Sequence, residues 1–233
     1  MENLERGILY VVATPIGNLG DITLRAIETL KTVNLILCED TRVTRKLLDR
    51  YEIKIPTMSY HQHSKIAKVD EIKERLNKGE NMALVTDAGT PGISDPGNIL
   101  VKEVVNDGIK VVPIPGASAI GALISVAGID MQKFVFLGFP PHKKGRQTFF
   151  KEAIEFKYPV MYYDSPHRLL KNLELLKELG YIKNIIVGRE LTKMFEEVVR
   201  GSVDEITEYF SRKEKIKGEL VVILNYEFRN LGI

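Results

Sequence analysis

The apolar positions of this chain follow two periods that alternate along most of its length. Short unbroken runs, ILYVVA (8–13), NLILCE (34–39), MALVT (82–86) and KVVPI (110–114), have the length and β-rich make-up of buried strands. Between them, ITLRAIETLKTV (22–33), TRVTRKLLDRY (41–51), KIAKVDEIKERLNKG (65–79) and NILVKEVVND (98–107) repeat apolar residues at helical spacing. Gly79 and Gly108 stand where the last two of these helices should stop. This rhythm predicts a mainly parallel sheet with helices on its faces.

The rhythm changes after PGASA (115–119), which opens a run of small residues, IGALISVAG, predicted as a tightly packed helix. FVFLGF (134–139), PVMYYD (159–164), NIIVGREL (184–191), FEEVVRGS (195–202) and LVVILNYE (220–227) follow as strands, with helices at 146–156 and 203–213. SPHRLLKNLELLKELG is a further helix, with Ser165 as predicted N-cap and Pro166 at its first position. Here strands follow strands directly, which predicts a mixed or antiparallel sheet. The domain boundary is expected near 115–120, giving an N-terminal α/β domain (1–116) and a C-terminal α/β domain (117–233).

Length and composition agree: 233 residues, 44% of them hydrophobic and 27% charged, suffice for two small globular domains with sizeable cores. No apolar run approaches the roughly 18–20 residues that cross a bilayer, so no membrane partner is expected. MENLERGILYVVA has acidic residues where a secretion signal would be basic, so its apolar stretch reads as a first strand. The single cysteine, Cys38, excludes an internal disulfide and a multi-cysteine zinc site. It sits on the apolar side of a strand and reads as a buried thiol. These features point to a reducing cytoplasm. A net charge of +2 is too small to argue for nucleic acid. The basic clusters RVTRKLLDR (42–50), HKKGR (142–146) and RKEKIKG (212–218) are solvated faces or binding patches.

Candidate chemistry lies in the loops after the strands, where α/β sheets bind ligands. TPIGNLGD (14–21), EDTR (39–42), DAGTPGISDPG (87–97), PGASA (115–119) and YDSPHR (163–168) are all rich in Gly, Pro, Ser, Thr or Asp. Glycine lets backbone groups approach a ligand closely. The phosphate loop GxxxxGK[ST], the dinucleotide GxGxxG and the nucleophile elbow G-x-S-x-G are absent. His61 and His63 could share a metal but lack a carboxylate or cysteine at ligand spacing, so a plain polar loop is the simpler reading and no metal is expected.

Taken together, TPIGNLGDIT, CEDTR, DAGTPGISDPG, IPGASA, FLGFPP, SPHR and the closing KGELVVIL resemble the ribosomal RNA small subunit methyltransferase I family. That family belongs to the tetrapyrrole methylase superfamily of class III S-adenosylmethionine-dependent methyltransferases. The resemblance implies a two-domain fold with the methyl donor in a cleft between the domains, and a homodimer. It implies methyl transfer to the ribose 2′-hydroxyl of a cytidine in the decoding region of 16S rRNA, within the small ribosomal subunit. The donor would be held by Pro15, Ile16, Gly17, Ala88, Gly89, Thr90 and Ile93, by Ser118 and Ala119, and by Asp164, Leu191 and Thr192.

Asp40 and Asp87 are the candidate catalytic bases, with Arg42 orienting RNA or a carboxylate; alternatively Glu39, Asp40 and Arg42 form a structural ion pair, and Asp87 and Asp95 cap turns. RNA contact is expected at His142, Lys143, Lys144 and Arg146, and Arg168 either meets phosphate or sits in a first helical turn. Many family members carry a C-terminal segment after the KGE-x-V strand, whereas this sequence stops soon after it. Two other functions compete. One is methylation of a small molecule such as a corrin precursor, although such relatives usually show G-x-G-P-G where this chain has TPIGNLG. The other is a non-catalytic ribosome-binding factor, which would need the basic patches but not the shaped loops.

Overall fold

The computed structural model of the chain describes residues 6–61, 66–95 and 97–226. The chain divides into two compact units, Met1–Ser118 and Ala119–Ile233.

The first unit contains β1 (Leu9–Val12), α1 (Leu24–Thr32), β2 (Leu35–Cys38), α2 (Thr41–Arg50), β3 (Thr57–Ser59), α3 (Ile66–Asn77), β4 (Met82–Leu84), α4 (Asn98–Asn106) and β5 (Val111–Ile114). Its strands lie in the order β3-β2-β4-β1-β5, with every pairing parallel. The pleat sends alternate residues to opposite faces. Leu35 and Leu37 pack with Ile72, Leu76, Leu100 and Val104 of α3 and α4. Ile36 and Cys38 face the other way, against Ala26, Leu30 and Leu48 of α1 and α2. Burial on both faces explains why β2 reads as an unbroken apolar run. Each leucine or isoleucine so buried stabilises the unit by about 1.5–3 kcal/mol. Cys38 is fully buried, as expected, and burial raises its thiol pKa.

Helix starts follow from local chemistry: Thr23 accepts the Ala26 N–H at 3.1 Å, and Asp40 accepts the Arg42 N–H at 2.8 Å. The short edge strand β3 escapes a periodicity reading. It has three half-buried residues and, among the described residues, pairs only with β2.

The second unit contains α5 (Ala119–Ala127), β6 (Val135–Phe136), α6 (Arg146–Glu155), β7 (Val160–Asp164), α7 (Leu169–Glu178), β8 (Asn184–Arg189), β9 (Glu197–Gly201), α8 (Val203–Ser211) and β10 (Leu220–Tyr226). The order is β6-β7-β10-β8-β9. β6 and β7 are parallel and the other pairs antiparallel, a mixed sheet as its strand-after-strand rhythm predicts. Phe150, Leu173 and Phe210 from its helices pack on Tyr162, Val187 and Val222 of its strands.

One expectation is corrected and one is narrowed. α7 begins at Leu169, with Arg168 at the N-cap, rather than at Pro166. Ser165 lies a turn earlier: its hydroxyl accepts Arg168 Nε at 3.0 Å, and its backbone carbonyl accepts the N–H groups of Arg168 and Leu169, both at 3.0 Å. The tight packing expected of α5 is confined to one side: Leu123 and Ala127 are buried, while Val126 is 48% exposed. The helix rests one side on the sheet where Gly188 leaves room. A Cβ at Gly188 would lie 2.8 Å from Leu123 Cδ1. Among the described residues no helix is long and apolar enough to cross a membrane.

Candidate functional site

The strand order places a switch point in the first unit. α1 and α2 follow β1 and β2 on one face, whereas α3 and α4 lie on the other. The chain therefore leaves β1 and its neighbour β4 toward opposite faces, and the loops after these two strands part. Ligands of doubly wound sheets bind at such a crevice, beyond the carboxyl ends of the strands.

Two predicted loops meet there. Thr14 and Gly89 pair backbone to backbone, N–H to carbonyl in both directions, at 2.9 and 3.0 Å. The Thr14 hydroxyl is buried and donates to the Thr86 carbonyl at 3.0 Å. Pro15 and Ile16 are buried beyond this bridge and Gly17 is exposed. Gly89 has φ +83°, a left-handed conformation that glycine adopts without strain. A Cβ there would lie 3.4 Å from Ile16 Cγ2 and 3.9 Å from the Ala117 carbonyl. Thr90 donates its hydroxyl to that carbonyl at 3.2 Å, which draws in the third loop before Ser118. Ile93 donates its N–H to Thr90 at 3.4 Å. Thr14 and Ala117 tie the site together, and sequence reasoning named neither. Thr14's only signal was its place at a strand end.

The acidic residues form the neighbouring corner, where β2 adjoins β4. Arg42 Nε meets both oxygens of Asp40, at 3.0 and 3.2 Å, and Arg42 Nη2 lies 2.6 Å from Oδ2. The Arg42 side chain, followed by its backbone N–H, holds the Asp40 carboxyl down to about 2. Asp87 behaves oppositely. One of its oxygens accepts the Asp40 backbone N–H at 3.1 Å. Asp87 remains solvent-accessible, yet partial desolvation of its carboxyl raises its pKa, with the Asp40 charge adding to the rise against that hydrogen bond. Glu39 is raised as well, by desolvation and then by the Asp87 charge.

In the second unit, Asp164 and Arg189 pair across β10 with the same residue, Leu220. Asp164, Leu191 and Thr192 therefore share one end of that sheet. Asp164 is buried and accepts Asn172 Nδ2 at 2.9 and 3.0 Å and the Ser165 N–H at 2.7 Å. Desolvation raises its pKa. Thr192 has φ +66° and Leu191 is buried beside Gly188. Ala119 opens α5.

Of the expected RNA contacts, His142, Lys143 and Lys144 are exposed and Arg146 is half-buried, its guanidinium bonded to the His142 carbonyl. Arg168 points inward, donating to the Pro140 carbonyl at 2.9 Å. His63 and Pro96 lie outside the described residues. Among the described residues no group of three or more His, Cys, Asp or Glu is placed to hold a metal.

Switch-point loops of this build on a parallel sheet, joined to a mixed-sheet unit, define a class. The profile of the tetrapyrrole (corrin/porphyrin) methylases matches residues 8–207, and the chain belongs to that family. Within it, the chain is similar to proteins named ribosomal RNA small subunit methyltransferase I. It is 46% identical over 220 residues to that of Synechocystis, covering 94% of this chain and 78% of the relative. It is 41% identical over 219 residues to that of Thermotoga maritima, covering 94% of this chain and 98% of the relative. For Bacillus subtilis the identity is 43% over 221 residues, with 94% and 75% covered. The C-terminal extension expected in many members is therefore not common to all of them. Solved structures share the fold: a cobalt precorrin-4 methyltransferase has a TM-score of 0.69 at 15% identity, covering 93% of this chain and 94% of that chain. A diphthine synthase has a TM-score of 0.71 at 13% identity, covering 93% and 89%.

Proposed function

We propose that this chain transfers the methyl group of S-adenosylmethionine to the ribose 2′-hydroxyl of a cytidine in the decoding region of 16S rRNA, acting on the small ribosomal subunit. The observation that supports the rRNA-methyltransferase part of this reading is the set of relatives that share the name ribosomal RNA small subunit methyltransferase I; the cytidine 2′-hydroxyl and the decoding region rest on the motif resemblance. The relatives are 41–46% identical to this chain over 92–97% of its length. The chain is taken as a cytoplasmic homodimer.

The donor supplies a methyl group already activated on a sulfonium. The switch-point loops fit such a ligand: Gly89 and Ala88 carry no bulk, and turned backbone offers N–H and C=O groups for orientation. Pro15, Ile16, Gly17, Ala88, Gly89, Thr90 and Ile93 hold it on this reading. Ser118, Ala119, Asp164, Leu191 and Thr192 are the remaining donor-binding candidates. No metal role is assigned, because the transfer needs no further activation of the methyl.

Holding oxygen, carbon and sulfur in line can contribute about 7–11 kcal/mol. A ribose hydroxyl also needs its proton removed, and a positioned base adds about 10²–10⁴-fold. Asp87 is the base: its raised pKa makes it the better proton acceptor of the two aspartates. Asp40, bound to Arg42, is a positioning residue whose N–H orients Asp87. Lys143 and Lys144 meet phosphate, with His142 and Arg146 completing their turn.

The test is transfer of radiolabelled methyl from S-adenosylmethionine to small subunits lacking the modification, with naked 16S rRNA and a corrin precursor as parallel acceptors. Label at a cytidine 2′-oxygen in the assembled subunit is the expected result. Label in the corrin precursor alone moves the substrate to a small molecule. Subunit binding without donor binding leaves a non-catalytic factor.

A further inference from the structure

The strand β7 and the segment after β6 bring three aromatic rings together. The Tyr163 ring lies 5.0 Å from Phe136, nearly perpendicular at 72°, and 5.1 Å from Phe139 at 49°. Phe136 and Tyr163 are half-buried, but Phe139 is 51% exposed.

A single exposed phenylalanine is ordinary. This one differs in how it is held. On one side, the Gly138 carbonyl accepts the Tyr163 N–H at 2.9 Å. On the other, Pro140 is buried and its carbonyl accepts Arg168 Nη1 at 2.9 Å. Arg168 is fixed in turn by its Nε bond to Ser165. Phe139 therefore sits between two anchored neighbours with a second ring behind it.

After the buried Pro140 and half-buried Pro141, the chain reaches the exposed His142, Lys143 and Lys144. Their turn is closed by the Arg146 N–H, which donates to the Lys143 carbonyl at 3.3 Å, and by Gly145 at φ +87°. An open ring is followed in the chain by a cationic turn.

We infer that Phe139 is a stacking platform for an unpaired base of the RNA substrate, with Lys143 and Lys144 taking phosphates of the same strand. The inference rests on the RNA reading above and names a contact that reading lacks. Unpaired bases are bound by stacking on aromatic faces while cations track the backbone. Phenylalanine has no hydrogen-bonding group, so the platform accepts any base and orders the strand without choosing the nucleotide. The cations that follow the ring in the chain, at Lys143 and Lys144, favour a polyanionic strand over an apolar protein surface.

The experiment compares wild type with Phe139→Ala, Phe139→Leu and Phe139→Trp on small subunits lacking the methyl group. It measures KM and kcat, with donor affinity and thermal unfolding recorded separately. Loss of the ring in the Ala and Leu variants is expected to raise KM roughly 5- to 100-fold. Trp stays close to wild type, and donor affinity and unfolding are unchanged throughout. A wild-type KM for Phe139→Ala in an active system overturns the platform alone. So does a Leu variant that works as well as Trp, since that would make the contact apolar packing rather than stacking. A wild type that binds donor but labels no RNA overturns the substrate reading and this inference with it.

Discussion

The backbone N–H of Asp40 donates to Asp87 Oδ1 at 3.1 Å, so the two candidate carboxylates are joined through the main chain. Their side chains diverge in use. Asp40 spends its oxygens on the start of α2 and on Arg42, while one oxygen of Asp87 accepts the Asp40 N–H; on the proposed reading the other takes the substrate proton.

Asp87→Asn should lower the methyl-transfer rate by about 10²–10⁴-fold while leaving donor affinity intact. Asp40→Asn keeps a capping side chain and should cost far less. Single-turnover transfer to small subunits separates the two. An equal loss in both would remove the distinction between base and positioning residue.

The same assignment has a pH signature. A base at Asp87 must be deprotonated to act, and desolvation raises the pKa of this carboxyl. Activity should therefore fall on acidification at a pH above the ordinary aspartate value of 3.8. A pH–rate profile measured on wild type shows this acid limb, and Asp87→Asn lacks it.

Gly89→Ala tests the switch-point loops. The added Cβ finds ordinary space 3.4 Å from Ile16, but the backbone at φ +83° disfavours any side chain. A cost of about 1–2 kcal/mol in stability follows from that conformation. Donor affinity should weaken as the loop shifts, measured by calorimetry beside thermal unfolding. Unchanged donor affinity would take Gly89 out of the site.

Salt dependence tests the roles of Arg168 and Lys143. On the proposed reading Lys143→Ala removes a phosphate contact and should reduce the slope of log affinity against log salt by about 1. Arg168→Ala loosens the Pro140 anchor, so affinity should drop with the slope preserved if Arg168 serves only that anchor, and the slope should fall too if its guanidinium meets phosphate. Binding titrations over a salt series decide it.

Asp164→Ala should cost about 1–3 kcal/mol, because it leaves the buried Asn172 amide and the Ser165 N–H without their acceptor. Burial raises the Asp164 pKa above the unfolded value of 3.8. Its contribution to stability is therefore full below that value and is lost as pH rises through the raised folded-state pKa. Denaturant titrations across that window should show a flatter dependence in Asp164→Asn.

The amino-acid sequence determined the elements that bury a face. LILC in β2 and the amphipathic α3 are legible because apolar spacing records which positions leave water. DAGTPGISDPG was legible as a shaped loop because glycine and proline record backbone conformation locally. β3 was missed because three half-buried edge residues carry no period. The start of α7 was misread because a turn at 166–168 comes between Ser165 and the helix, which a capping rule cannot see.

Only the tertiary structure decided what the loops do to one another. Thr14 meets Gly89 across 75 residues, Asp40 meets Asp87 across 47, and Arg168 reaches Pro140 across 28. Those partners are set by strand order and by which face each helix crosses. Hydrogen bonds at such separations leave no local pattern. A chain can therefore announce that its loops are built to hold something while the fold alone assigns each acid, glycine and arginine its task.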